Sequence, residues 1–185
     1  PPAHMTVSLH PTFEQGLAKL PEALRVPART HAAAIAAQLA GLPVGAQGES
    51  GLDVAPRVLG VSEFVARACE ARPELLPDLI QSNDLFCAYA SGELRRRVQT
   101  AVADCADESS LKTSLRRLRQ REMVRLAWRD LAGWANLEEV VRTLSALADA
   151  CLDAALAKLY DWAVAREGVP REQGTDTAAR FVVLG

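Results

Sequence analysis

From Ser109 onward the apolar residues fall into a rhythm that permits few structures. Leu111, Leu115, Leu118, Glu122/Met123, Leu126 and Trp128/Leu131 recur at steps of three and four. That spacing keeps one side of an α-helix apolar over many turns. The run ends near Gly133, and Asn136 opens a second one with Glu139 three residues on, in capping-box position. Its apolar positions are Leu137, Val140, Val141, Leu144, Leu147, Cys151, Leu152, Ala155, Leu159 and Trp162. Gly168 followed by Val169-Pro170 is a stop, because glycine takes the left-handed turn that closes a helix and proline cannot extend one. Two long helices joined by so short a link predict an antiparallel pair.

The chain before Ser109 is less regular. Five prolines fall in the first thirty residues, so helices there are expected to be short, with Thr12–Leu20 the best candidate. Residues 28–40 read as a helix with Thr30 as its cap. Residues 41–57, with four glycines and two prolines, read as a flexible loop or linker. Ser62 is placed to cap a helix running to about Glu70. Pro73–Gln81 reads as the next helix, broken by Ser82-Asn83-Asp84, and Glu93–Cys105 as another. Arg180-Phe181-Val182-Val183-Leu184-Gly185 reads as a buried β-strand. A lone strand leaves its backbone groups unsatisfied, so a sheet is expected to continue beyond it. The expected organisation is an N-terminal extension over 1–55, a helical domain over 56–170, and a loop and first strand over 171–185. The fold class is mostly α: an antiparallel helical bundle leading into the first strand of a truncated α/β domain.

Composition narrows the function classes. A net charge of −2 and a pI near 6.0 give no basis for nucleic-acid binding across the whole chain. With 49% hydrophobic and 24% charged residues, the chain is not a disordered tail. No apolar run reaches the roughly 18 residues of a membrane span, and the apolar stretch 31–40 starts too far in for a typical signal peptide. A soluble, cytoplasmic protein without a membrane partner is expected. Cys69, Cys87, Cys105 and Cys151 have no CxxC spacing and no histidine beside them, since His4, His10 and His31 all lie early in the chain. That argues against zinc. Cys69 and Cys151 sit in apolar helical patterns and read as buried free thiols. No phosphate-loop, dinucleotide, serine-elbow or HExxH motif is present. No catalytic, cofactor-binding or metal residue is therefore assigned.

The basic residues are lopsided. Apart from Lys19, Lys112 and Lys158, all are arginines. Over 112–129, Lys112, Arg116, Arg117, Arg119, Arg121, Arg125 and Arg129 give seven positive charges, and the helix end adds only Glu122 and Asp130 against them, a local balance of +5. Arg117, Arg121 and Arg125 are the candidates for docking an acidic partner. The plainer alternative is a solvated helix face with arginine–carboxylate pairs at helical spacing. Arg129-Asp130, between Trp128 and Trp134, reads as a structural charged pair.

The stretch Leu115–Gly133 (LRRLRQREMVRLAWRDLAG) closely resembles the LRRxRxxEMxRxxWRDLAG segment of the glutamine synthetase adenylyltransferases, bifunctional enzymes that add and remove adenylyl groups. Asn136-Leu137-Glu138-Glu139 and Leu144–Ala150 (LSALADA) are similar to the helix that comes after it in that family. Pro56–Leu59, Ser62–Val65 and Asp78–Ile80 resemble its earlier helices, and Phe181–Gly185 the strand entering its nucleotidyltransferase fold. The resemblance covers about residues 56–185. It implies a parent protein that adds AMP to a tyrosine of glutamine synthetase and removes it by phosphorolysis. Glutamine synthetase and the PII signal protein are the implied partners, with magnesium and ATP or ADP as cofactors. The family's paired catalytic aspartates come after the strand, beyond Gly185. None is carried over to a residue here, and the chain alone is expected to be inactive. The alternative expectation is a stand-alone helical interaction module docking through the arginine-rich helix 112–129.

Overall fold

A computed structural model describes residues 9–44, 51–174 and 177–179. Among them the chain is mostly helical. The elements are α1 (Pro11–Ala18), α2 (Glu22–Ala34), α3 (Ala36–Leu39), α4 (Gly51–Val61), α5 (Glu63–Ala71), α6 (Leu75–Gln81), α7 (Glu93–Val102), α8 (Glu108–Ala132) and α9 (Leu137–Glu167). The extended pairing among the described residues is an isolated antiparallel bridge between Arg171 and Ala178. The strand expected at Arg180–Gly185 lies outside the described residues.

The helix boundaries come from local chemistry. The Ser62 hydroxyl accepts from the Val65 amide at 3.2 Å and starts α5. The Asn136 side-chain oxygen accepts from the Glu139 amide at 2.9 Å and starts α9. Gly133 and Gly168 close the two long helices at φ of 78° and 88°, where a side chain would be strained. Thr30 is not a cap. It lies inside α2, and its hydroxyl donates to the Val26 carbonyl at 3.0 Å, the back-bonding open to a mid-helix threonine.

Two compact units make up the chain: Pro1–Ala88 with Gln120–Val140, and Tyr89–Arg119 with Val141–Gly185. The first has the larger core. Phe13, Leu17, Ala28, Ala32 and Ile35 pack with Leu52, Ala55, Val58, Leu59, Val65, Leu76 and Leu79, joined by Val124, Trp128 and Ala132 from the second half of α8. The anticipated boundary between residues 55 and 56 therefore falls inside α4, and α1 and α2 share one core with α4, α5 and α6. Residues 51–57, read as loop, are helical. Leu52, Val54, Ala55, Val58 and Leu59 all become buried on forming α4, and burial outweighs the poor helix propensity of Gly51 and Pro56. Likewise α2 begins at Glu22 and carries Pro27 within it. Gly16 marks the closest helix approach: a Cβ there would lie 2.2 Å from the Asp53 carbonyl oxygen of α4.

The second unit packs one face of α7 (Leu94, Val98, Val102) with Cys105, Leu111 of α8, and Leu147, Ala150 and Ala154 of α9. Leu115, Leu118, Cys151 and Trp162 pack around this cluster. Its α8 begins on a reciprocal turn. The Ser110 amide donates to Asp107 Oδ1 at 2.7 Å, and the Ser110 hydroxyl donates to the Asp107 carbonyl at 2.8 Å.

Candidate functional site

The most concentrated chemistry in the first unit lies where α8 meets the turn after α6. Asn83 adopts φ of 61°, so the chain reverses sharply there and its carbonyls turn away from any helix ladder. Arginines at successive i, i+4 steps of α8 meet those carbonyls. Arg125 Nε donates to the Asp84 carbonyl at 2.7 Å, and Arg125 also donates to the Cys87 carbonyl. One turn on, Arg129 donates to the Leu85 carbonyl at 3.2 Å and to both oxygens of Glu139, at 3.0 and 3.3 Å. One turn back, Arg121 pairs with Asp78 and Asp84, both at 2.6 Å, and donates to Glu122 at 2.8 Å and to the Ser82 hydroxyl at 3.1 Å.

The centre of this cluster is buried, while Asp78 at its edge stays more than half exposed. Arg125 is 0% exposed, Glu122 1% and Arg129 3%. Removing charges from water is costly, and guanidinium groups tolerate it because their fork of donors satisfies several acceptors at once. Three backbone carbonyls and four carboxylates are thus tied to one helix. The arrangement can hold a turn rigid. Its carboxylates are engaged by arginine, and no group of three or more His, Cys, Asp or Glu side chains suited to a metal ion occurs among the described residues.

The three arginines singled out from sequence fare differently. Arg117 is exposed. Arg125 is fully buried, and the Arg121 side chain keeps only 14% of its exposure within its ion pairs. A docking face made of all three is therefore corrected: two of them hold the turn, because the acceptors of residues 78–87 lie against their helix. Sequence reading passed over Asp84, Glu122 and Glu139 as members of this cluster. The signal was register. Leu111, Leu115, Leu118, Glu122, Arg125 and Arg129 succeed one another at steps of four, three, four, three and four, so the two arginines continue the leucine face. Arg129, read as half of a structural pair with Asp130, is structural but pairs with Glu139 instead.

The second unit has a groove of about 790 Å3, lined by residues of α7 and α9 together with Ala178. Arg95 and Asp153 pair across it at 2.8 Å, with both side chains more than half exposed, and Lys158 donates to the Ala103 carbonyl at 2.7 Å. Cys69 and Cys151 are poor nucleophiles. Burial pushes the Cys69 thiol up to about 12 and raises that of Cys151. All four cysteines are free.

Comparison with known proteins decides what the sequence pattern is. The family model described as Glutamate-ammonia ligase adenylyltransferase matches residues 52–185, most of the chain. The chain belongs to this family. A Nitrosococcus oceani protein named bifunctional glutamine synthetase adenylyltransferase/adenylyl-removing enzyme is 47% identical over 128 residues, which is 69% of this chain and 13% of that protein. A Pseudomonas aeruginosa protein of the same name is 37% identical over 175 residues, 91% of this chain and 18% of the relative. The latter alignment takes in much of the N-terminal region from which the sequence pattern drew no family support. The chain thus spans less than a fifth of the length of these curated relatives of the adenylyltransferase family. No described helix is long and apolar enough to cross a membrane.

Proposed function

We propose that this chain is the N-terminal helical part of a bifunctional glutamine synthetase adenylyltransferase/adenylyl-removing enzyme. The parent protein transfers AMP from ATP to a tyrosine of glutamine synthetase and removes it by phosphorolysis, in the cytoplasm, under the PII signal protein. The observation that carries this reading is the family match over 52–185 combined with the small share of each relative that the chain spans. The chain's own part is scaffolding. Its densest polar cluster directs Arg125 and Arg129 at backbone carbonyls, which fixes the turn at 82–87 rather than presenting groups to a substrate.

The parent reaction calls for magnesium beside nucleotide phosphates. Among the described residues no group of three or more His, Cys, Asp or Glu side chains is placed to hold such an ion, and Asp78, Asp84, Glu122 and Glu139 are taken up by Arg121 and Arg129. No step of the reaction is routed through them. The isolated chain is accordingly expected to be inactive. Incubating it with adenylylated glutamine synthetase, phosphate and magnesium tests this: no ADP is expected, and ADP release by the pure chain would overturn it.

A second reading, an interaction module docking through helix 112–129, keeps one supporting observation. Arg116, Arg117 and Arg119 are exposed on α8. Arg117→Glu should weaken capture of an acidic partner at unchanged helicity if this reading holds.

A further inference from the structure

The helix α9 has two apolar faces, and its own unit covers one. Leu147, Ala150 and Ala154 are buried against α7 and α8. Val141, Leu144, Ala148, Leu152, Ala155 and Leu159 form the other. At about 100° per residue these six fall within an arc of roughly 80°, a continuous stripe along five turns. Its large members stay open to solvent: Val141 is 54% exposed, Leu144 37%, Leu152 51% and Leu159 42%. Single exposed leucines are ordinary, but four large apolar side chains in one register over some 27 Å of helix make a contiguous apolar surface of the kind that marks an interface.

The occupant is indicated by chain length. The aligned stretch is 13% of the Nitrosococcus oceani relative and 18% of the Pseudomonas aeruginosa one, so these proteins carry several times as much polypeptide again. A covalently attached segment is present at high effective concentration and covers an apolar face without the association cost a separate partner meets. We propose that the Val141–Leu159 stripe of α9 is covered by the polypeptide that family members carry outside this region. The stripe is then an intramolecular seat for the rest of the enzyme, not a surface for glutamine synthetase or a second copy. The inference rests on the reading of this chain as part of a longer adenylyltransferase. Its test reads burial, not activity, so the two can fail separately.

Thiol labelling provides that test. In this chain, with Cys87→Ser removing the exposed native thiol, Leu152→Cys and the neighbouring exposed Asp149→Cys should react with a maleimide at similar rates. In the full-length Pseudomonas aeruginosa relative, cysteines at the positions aligned with Leu152 and Asp149 should differ, the former reacting at least roughly tenfold more slowly. The position aligned with Leu144 serves as a second variant, with helicity checked by circular dichroism. Equal rates in the full-length relative overturn the proposal. So does protection in the 185-residue chain that grows with its concentration, which indicates a second copy. Protection that appears only on adding glutamine synthetase also overturns it.

Discussion

Arg125 on α8 donates its Nε to the backbone carbonyl of Asp84, 41 positions earlier in the chain, across 2.7 Å. A side chain that reads as a surface charge thus supplies the donor that a sharply turned backbone lacks. Burying a carbonyl without a partner costs about 1–3 kcal/mol, and Arg125 serves the buried one at Asp84 as well as the part-buried one at Cys87.

Arg125→Met should therefore destabilise the first unit by about 1–3 kcal/mol, since it leaves the Asp84 carbonyl buried and unmet, whereas the part-buried Cys87 carbonyl can turn to water. Arg125→Lys should recover little, because an ammonium cannot reproduce the guanidinium fork. Arg117→Glu, on the same helix but exposed, should change the unfolding free energy by no more than about 0.5 kcal/mol. Urea titration followed by circular dichroism checks all three. Equal effects of Arg117→Glu and Arg125→Met would remove the distinction between surface and core arginines.

Gly16→Ala carries opposing terms. Alanine favours a helix interior over glycine by about 1 kcal/mol. Its Cβ, however, would sit 2.2 Å from the Asp53 carbonyl oxygen, a backbone atom that moves only if α4 moves. The clash should win, with a net loss of about 1–3 kcal/mol in the same urea titration. A stabilised variant would show that the two helices separate at little cost.

The long helices were legible from sequence because their signals were local and agreed with one another. The period from Leu111 to Leu118, the Asn136 cap and the glycines at 133 and 168 all lie within a few residues of what they determine. Before Val61 the first helix was legible, Thr12–Leu20 against the observed Pro11–Ala18, but α2 and α4 were not, for the opposite reason. Pro27 and Pro56 weaken local helix propensity, and what forms α2 and α4 is their mutual burial, with Ala28 and Ala32 at 0% exposure and Ala55 and Val58 likewise. The candidate site was half legible. The arginines of α8 stood out by charge, yet whether each faced solvent or core depended on acceptors at 78–87, which no window around α8 contains. The register linking Leu118 to Arg125 was present in the sequence, but a charged residue on a leucine face reads as noise until its partner is known.

Thiol chemistry should separate the cysteines. Cys87 is exposed, whereas Cys69 is buried and its thiol is pushed up to about 12 by desolvation. At about pH 8 almost none of the Cys69 thiol is ionised, and the thiolate is the reactive form. Ellman's reagent on the native chain should modify Cys87 first and leave Cys69 unreacted until denaturant is added. Mass spectrometry of the labelled peptides identifies the order, and early labelling of Cys69 would contradict the packing of α5.

Asp107 gives the second unit a defined response to acid. Its carboxyl accepts from the Ser110 amide at the start of α8, which holds it below the ordinary aspartate value of 3.8. A carboxylate depressed in the folded state stabilises that state above its unfolded pKa, and the contribution is lost as pH falls through the folded one. Asp107→Asn keeps the cap geometry and removes the charge. The variant should melt at a lower temperature than the parent at about pH 6. The gap should be constant down to about pH 5, narrow as the pH drops past 3.8, and close in stronger acid. Other carboxylates titrate in both proteins and cancel in the difference. Thermal melts of the two proteins at matched pH measure it directly. A gap that stays constant through the acid range would mean that the carboxylate charge adds nothing to the α8 start beyond what a neutral cap supplies.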